Sequence, residues 1–294
     1  MKKLIFKILR YSGIPFLVRE IVQRRKVTIL LFHDIDEATA EKQFSYLLQN
    51  YNIISLNDFI YARENRQSLP PKALVITFDD GHIGNYQLLP IIERLKVSVT
   101  IFLCAEIIGS NRHFWFNYGH PKLNVEKMKK KSNKNRLDIL SEAGFNRERE
   151  YDDGQALTMK QIKEMTGTIN LQAHALFHPI FPNCTDEEAK IEITGAKKLL
   201  ENKFNLKINA IAYPNGDYSE RDIGYAKSAG YQCGLTVDFG YNTLKTDPFK
   251  LKRLDADDTD DLNELIVKTT GLWGFFKTSS GRYRSNGLTK TLKQ

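Results

Sequence analysis

The sequence predicts an α/β fold on three observations. Continuous apolar runs of strand length recur along it, helical stretches with capping-box starts fall between them, and the alternation repeats five or more times. Strands without polar alternation are buried on both faces, so the sheet is parallel and covered by helices, as an α/β barrel or an open α/β sheet.

Residues 1–26 precede this pattern. Leu4, Ile5, Ile8 and Leu9 share one helical face, while Lys3, Lys7 and Arg10 share another. Gly13 and Pro15 interrupt the period and residues 16–22 resume it. A secretory signal needs an unbroken apolar stretch and a small-residue cleavage site. Lys7 and Arg10 break the first, and the second is not found. Two readings stand side by side: a basic interfacial helix, or a helix packed on the outside of the domain.

The first strand is read at 27–32 and the first helix at 38–48. Further strands are read at 73–77, 99–103, 169–173, 208–212, 232–237 and 250–254. Helix starts pair Thr158 with Gln161, Thr185 with Glu188 and Ser219 with Asp222, the spacing at which two side chains and two backbone N–H groups cap each other. Residues 109–156 are rich in Lys, Asn, Arg and aromatics without a strand pattern, and read as an insertion after a strand. Its opening His113-Phe114-Trp115-Phe116 is a hydrophobic anchor or a substrate platform.

Composition bounds the function. The 294 residues are 41% hydrophobic and 27% charged, as in an ordinary globular protein, and no apolar run reaches spanning length. Cys104, Cys184 and Cys233 are odd in number and widely spaced, which suggests neither a disulfide framework nor a zinc knuckle. The net charge of +8 is concentrated at 1–26, 122–136 and 277–294, around an acidic remainder. A nucleic-acid groove through the fold is not expected; attachment of the basic ends to an anionic surface is.

Two strings carry chemistry. The run Leu74-Val75-Ile76-Thr77 leads straight into Phe78-Asp79-Asp80-Gly81, placing two carboxylates at the C-terminal end of a buried strand. Such charges need a cation or a metal unless the string is merely an acidic turn. His174-Ala175-Leu176-Phe177-His178 follows another strand, and Pro179 disfavours helix at His178, so the pair sits on a turn. Neutral imidazoles suit zinc, iron, cobalt or nickel. If both strings face one barrel mouth, one carboxylate and two imidazoles leave a metal open for water and substrate, with the other carboxylate free as a base.

On these strings the chain resembles the polysaccharide deacetylases of carbohydrate esterase family 4, the NodB-homology domain, over about residues 27–255. Thr77-Phe78-Asp79-Asp80-Gly81 matches the family's first motif, His174 and His178 match its His-x-x-x-His, and Ala212-Tyr213-Pro214-Asn215-Gly216 is similar to its third motif as found in poly-N-acetylglucosamine deacetylases. The resemblance implies a distorted (β/α) barrel of about seven strands, read over 27–276, to which the residues themselves add the insert at 109–156, an N-terminal amphipathic helical arm at 1–26 and a basic tail at 277–294. It implies a metal-dependent hydrolase removing N-acetyl groups from a glycan, or alternatively a catalytically impaired carbohydrate-binding member of the same fold.

By the same resemblance, Asp80, His174 and His178 are the ligands of a divalent metal, Zn2+ first and Co2+ or Ni2+ as alternatives. Asp79 is the catalytic base, and Asn215, with Tyr213 and Pro214, binds the oxyanion and substrate. The family's late histidine is missing, because no histidine follows His178; His33, after the first strand, is the expected acid. Ala175 replaces the Ser or Thr that ties down the histidine loop, and Ala212 stands where many members have a base-orienting Arg. Arg253 is the candidate to take over that task, or else a surface partner of Asp255 or Asp257. His82 is read as a loop residue facing solvent, or else one that touches substrate. The expected partner is an N-acetylated glycan, with no nucleic acid and with peripheral membrane contact through residues 1–26; a cytoplasmic or membrane-peripheral location is favoured, with export as the alternative.

Overall fold

The computed structural model describes residues 2–121 and 123–279, the last four by backbone alone. Chain order begins with α1 (Lys2–Tyr11) and α2 (Ile14–Leu17). They are divided at Gly13, whose φ of 78° suits a residue without a Cβ. A π turn and a 3₁₀ turn over residues 18–25 deliver the chain to β1 (Val27–Phe32). There follow α3 (Glu37–Asn50), β2 (Asn52–Ile53), α4 (Leu56–Glu64), β3 (Ala73–Phe78), α5 (Leu89–Leu95) and β4 (Val99–Leu103). The insert contributes α6 (Val125–Met128) and α7 (Asn133–Glu142). Then come α8 (Met159–Met165), β5 (Asn170–Ala173), α9 (Asp186–Phe204), β6 (Ala210–Ala212), α10 (Glu220–Ser228), β7 (Cys233–Leu235), β8 (Leu254–Asp255), α11 (Leu262–Thr269) and α12 (Leu272–Ser279). Each expected capping box is made, at Thr158, Thr185 and Ser219.

The strands run β7-β6-β5-β4-β3-β1-β8, all parallel, with β2 added beside the start of β3. This is the α/β distorted barrel the sequence implies. A single bridge between Leu235 and Leu251 stands where a full ladder would close the wall. Alternate residues serve opposite faces. Leu30, Phe32, Leu74 and Ile76 join the core beneath the helices, whereas Ile29, Val75, Ala210 and Leu235 fill the inside with Leu56 and Phe59 of α4. Both faces are apolar, hence the unbroken runs in the sequence.

Four expected strands are shorter than read, the one at 169–173 by its first residue alone. Residues 208–209 stay outside β6 because the Gln172 side chain accepts from the N–H groups of Asn209 and Ala210. The strand read at 232–237 is regular only over β7. At 250–254 regular pairing starts at Leu254, because the Asn242 side chain accepts from the Lys252 N–H in place of a neighbouring strand. The insert is helical and has its own small core of Trp115, Met128, Leu140 and Phe145. Of the basic tail, residues 280–294 lie outside the described residues. Among those described, no helix is long and apolar enough to cross a membrane.

Candidate metal centre and active site

The C-terminal ends of the strands open into a groove of about 1470 Å³ whose lining includes His33, Asp79, Asp80, His82, His174, His178, Asn215 and Arg253. Four separate strand ends therefore bring the candidate residues to one mouth, as parallel α/β folds do. The backbone there is unusual. Six of the ten non-glycine residues with positive φ among those described are Asp80, Ala175, His178, Asn215, Asp257 and Asp258, all on loops around this mouth. Strain concentrated in this way marks a site whose geometry is held by its surroundings.

At the end of β3 the two acids part. The Asp79 N–H still donates to Phe32 O in the manner of the sheet, whereas Asp80 turns to a φ of 73°. Gly81 follows at 74°, where a Cβ would come within 2.7 Å of a Leu103 methyl, so only glycine fits this turn. Asp79 points to Arg253, which grips it with two parallel bonds of 2.7 and 2.8 Å. Arg253 is 1% exposed and also donates through Nε to Thr236 O. It is thus a buried fork, not the surface partner of Asp255 or Asp257. Burial works against the Asp79 charge, but the guanidinium holds its carboxyl below the ordinary value.

Asp80 faces the imidazoles. Its Oδ1 lies 3.4 Å from Nε2 of both His174 and His178. The ligand atoms of the three buried residues all fall within 4.8 Å of one another. Among the described residues Asp80 Oδ1 has no hydrogen-bond partner although it is buried. An ionised oxygen left bare between two imidazole nitrogens is the donor set of a divalent cation, and these residues fit one. The outer contacts agree. His174 Nδ1 donates to Ala212 O at 2.9 Å, which fixes the tautomer and leaves the Nε2 lone pair facing Asp80. Burial pushes His178 down to about 3, so its ring is neutral at physiological pH, as a ligand must be. Burial opposes ionisation of Asp80, yet attraction to His178 at the acid pH where that ring is charged, together with a hydrogen bond from His82, holds its carboxyl well below the usual range.

His82 departs from the first of its two expected readings, though it lines the groove. It does not face solvent: it is half-buried, its ring lies against Phe114, and Nε2 donates to Asp80 Oδ2 at 3.2 Å. His33 stands at the rim, with a side chain 42% exposed. Its N–H and its Nδ1 both donate to Asp258, at 2.8 and 3.2 Å. Burial opposes its charge, but the Asp258 bond and the charges of Asp80 and Asp79 raise it to about 9. On the opposite wall Asn215 adopts φ 58° in the turn after β6, and no described acceptor takes its N–H. Tyr213 and Pro214 do not line the groove. The Tyr213 ring is fully buried and its hydroxyl donates to Phe249 O, so these two residues seat Asn215 and offer substrate no side-chain surface.

The histidine loop is tied by two residues that the sequence reading passed over. Glu192, on α9, accepts from the N–H groups of Leu176 and Phe177 at 2.9 and 3.0 Å. It does what the missing hydroxyl at Ala175 cannot. Trp115, in the insert, donates to His178 O at 2.9 Å, and Phe116 sets its edge on the His178 ring. Phe114 and Trp115 are thus anchors, and Phe116 alone of the aromatic run lines the groove. Burial pushes Glu192 up to about 7 against the pull of the two N–H bonds.

A folded value above the ordinary one means that the native state holds its proton longer than the unfolded chain does. Stability from this group is therefore fully present below about pH 4.5 and falls as pH rises toward 7, by about 3 kcal/mol in all. Glu192→Gln keeps an acceptor oxygen and removes that slope, so its denaturant midpoint gains on wild type across this window. Glu192→Ala leaves two buried N–H groups unpaired and loses about 1–3 kcal/mol for each, read from denaturant unfolding.

A family model for polysaccharide deacetylase matches residues 66–234. The chain is 24% identical over 240 residues to the protein YxkH of Bacillus subtilis (strain 168), an alignment covering 78% of this chain and 71% of that protein. Among solved structures, the fold is similar to the Streptococcus pyogenes deacetylase PplD in complex with acetate, with a TM-score of 0.61, 20% identity and coverage of 83% of this chain and 98% of that one. It is similar also to IcaB from Ammonifex degensii, with a TM-score of 0.63, 17% identity and coverage of 85% and 98%. The family match takes in the strand carrying Asp79 and Asp80, the histidine loop and the turn of Asn215, and it spans more than half of the sequence: the chain belongs to the polysaccharide deacetylase family.

Proposed function

We propose that this chain is a metal-dependent hydrolase that removes N-acetyl groups from hexosamines in a glycan. The observation that carries the reading is the bare, buried Asp80 oxygen between the His174 and His178 rings, with a second carboxylate, Asp79, 3.8 Å from His174 Nε2. Asp80, His174 and His178 would hold the cation, Zn2+ being the best match to one carboxylate and two imidazoles. When bound, the ion supplies Lewis acidity, lowering the pKa of water from about 15.7 toward roughly 7.

The chain's own groups do the rest. Asp79, ionised and fixed by Arg253, accepts the proton of the attacking water. The N–H of Asn215 is free to donate to the oxygen that gains charge as the amide carbonyl becomes tetrahedral. His33, raised to about 9 and so protonated at neutral pH, gives its proton to the leaving amine. Acetate and a free amine result, and the Streptococcus pyogenes relative was solved with acetate. The open groove suits a chain-like substrate. The reading as a binding module without turnover rests on Ala175 and Ala212; against it, Glu192 ties the histidine loop and Arg253 holds the Asp79 carboxylate, the two tasks those substitutions leave undone.

The test is acetate release from a panel of N-acetylated oligosaccharides, with and without a chelator. Release that stops with chelator and returns with Zn2+ is expected. Release that ignores the chelator, or none from any member of the panel by zinc-loaded protein, contradicts the reading.

A further inference from the structure

Nine of the fifteen large apolar side chains exposed among the described residues fall between Leu4 and Val22. On α1 the packing is the reverse of an ordinary surface helix. Phe6 turns inward, fully buried and 4.6 Å from the Trp273 ring, while Leu4, Ile5, Ile8 and Tyr11 point to solvent. Positions 4, 8 and 11 are four and three apart, so they form one outward stripe. Ile14, Leu17 and Ile21 continue the spacing beyond Gly13, with Phe16 and Val22 beside them. Leu9, read from sequence as part of the apolar face, is partly covered. The arm is therefore held to the barrel by a few inward residues and ion pairs, such as Lys2 with Glu264, and shows its apolar side outward.

The charges that the arm itself carries beside this face are basic, Lys3 alone of the flank reaching, among the described residues, an acid of the barrel, Asp260, at 3.5 Å. Lys3, Lys7 and Arg10 line one flank of α1, and Arg24 and Arg25 stand exposed at the far end of the arm. Glu20, the one acid in residues 1–26, is bound to Arg19 and Lys72. We infer that residues 4–22 are a docking face for an anionic lipid surface, on which the arm lies with its apolar stripe in the headgroup boundary and its basic flank on the lipid charges. Length excludes spanning, since no described helix is long or apolar enough to cross. A second copy is the poorer occupant, because a two-fold contact sets the same patch against itself and brings the like-charged flanks together. A bilayer complements both halves of the pattern.

The placement has a consequence for the groove. Lys3 pairs with Asp260, two residues beyond the Asp258 that holds His33, while the arm ends where β1 begins at the opposite end of the barrel. A docked arm lays the barrel wall along the surface, with the rim of the mouth at its edge.

The experiment is sedimentation of the full chain with vesicles of phosphatidylcholine alone and of phosphatidylcholine mixed with phosphatidylglycerol. Binding to the mixed vesicles that weakens with salt is expected, with little binding to phosphatidylcholine alone. The triple variant Ile8→Ser, Phe16→Ser, Ile21→Ser changes only exposed side chains and should bind at least about tenfold more weakly, given the apolar area it removes. Its acetate release from a short soluble substrate should match wild type. No binding of wild type to either vesicle, or equal binding by the variant, overturns the inference. So does a wild-type dimer in solution that the variant turns into a monomer.

Discussion

His174→Ala is expected to lose its divalent ion and its acetate release together, while remaining folded. The ring contributes one nitrogen to a three-residue donor set, and its other nitrogen is spent on Ala212 O. Loss of a partner behind a ligand already lowers metal affinity by about 10–100-fold, so loss of a ligand should exceed about 100-fold. The fold should pay less, because the substitution leaves a cavity and one unpaired carbonyl, worth about 1–3 kcal/mol for the buried carbonyl. Metal content after dialysis and a thermal unfolding curve separate the two effects. A variant that keeps its ion at wild-type affinity removes His174 from the donor set.

Asp79→Asn is expected to keep the ion and lose about 10²–10⁴-fold in kcat, the range of a positioned base. The carboxylate is not among the three ligating residues, so the metal content should hold. Its loss also leaves the buried Arg253 charge unpaired, and breaking a buried pair from one side costs about 3–5 kcal/mol. Pairing Asp79→Asn with Arg253→Met removes both charges and should restore much of the stability but none of the activity. Arg253→Lys is the complementary probe: it keeps a charge near Asp79 and loses the fork, so kcat should drop with KM nearly unchanged. If Asp79→Asn turns over at the wild-type rate, the base is elsewhere.

The sequence made the framework legible because its signals are local. A run such as Val27 to Phe32 is apolar at every position but Thr28, and β1 has those bounds. Asp79, Asp80, His174 and His178 stood out because each pair lies within a few residues at a strand end. What was not legible depends on contacts between distant segments. Glu192 is one acid on a helix rich in them, and nothing in its neighbourhood marks it as the residue that holds the histidine loop at Leu176 and Phe177, sixteen and fifteen residues earlier in the chain. Tyr213 sits inside the third motif and was read as touching substrate, yet the adjoining strand leaves room for its ring only in the core; a Cβ on Gly234 would meet its hydroxyl at 2.2 Å. The direction of the arm was equally hidden. Helical spacing shows that α1 has an apolar side, but only the docking of Phe6 on Trp273 decides that this side faces out.

These elements combine into one physical account. Parallel strands deliver charged residues to a common mouth, Arg253 offsets the cost of burying Asp79, and His82 holds one oxygen of Asp80 while the other is left for a cation. The most direct test of that claim is an anomalous difference map from crystals grown with Zn2+. The account predicts one strong peak at about 2.0–2.2 Å from an Asp80 oxygen and from Nε2 of both His174 and His178. Zinc-soaked crystals with no peak between those three side chains, or with the ion bound only elsewhere, would contradict it.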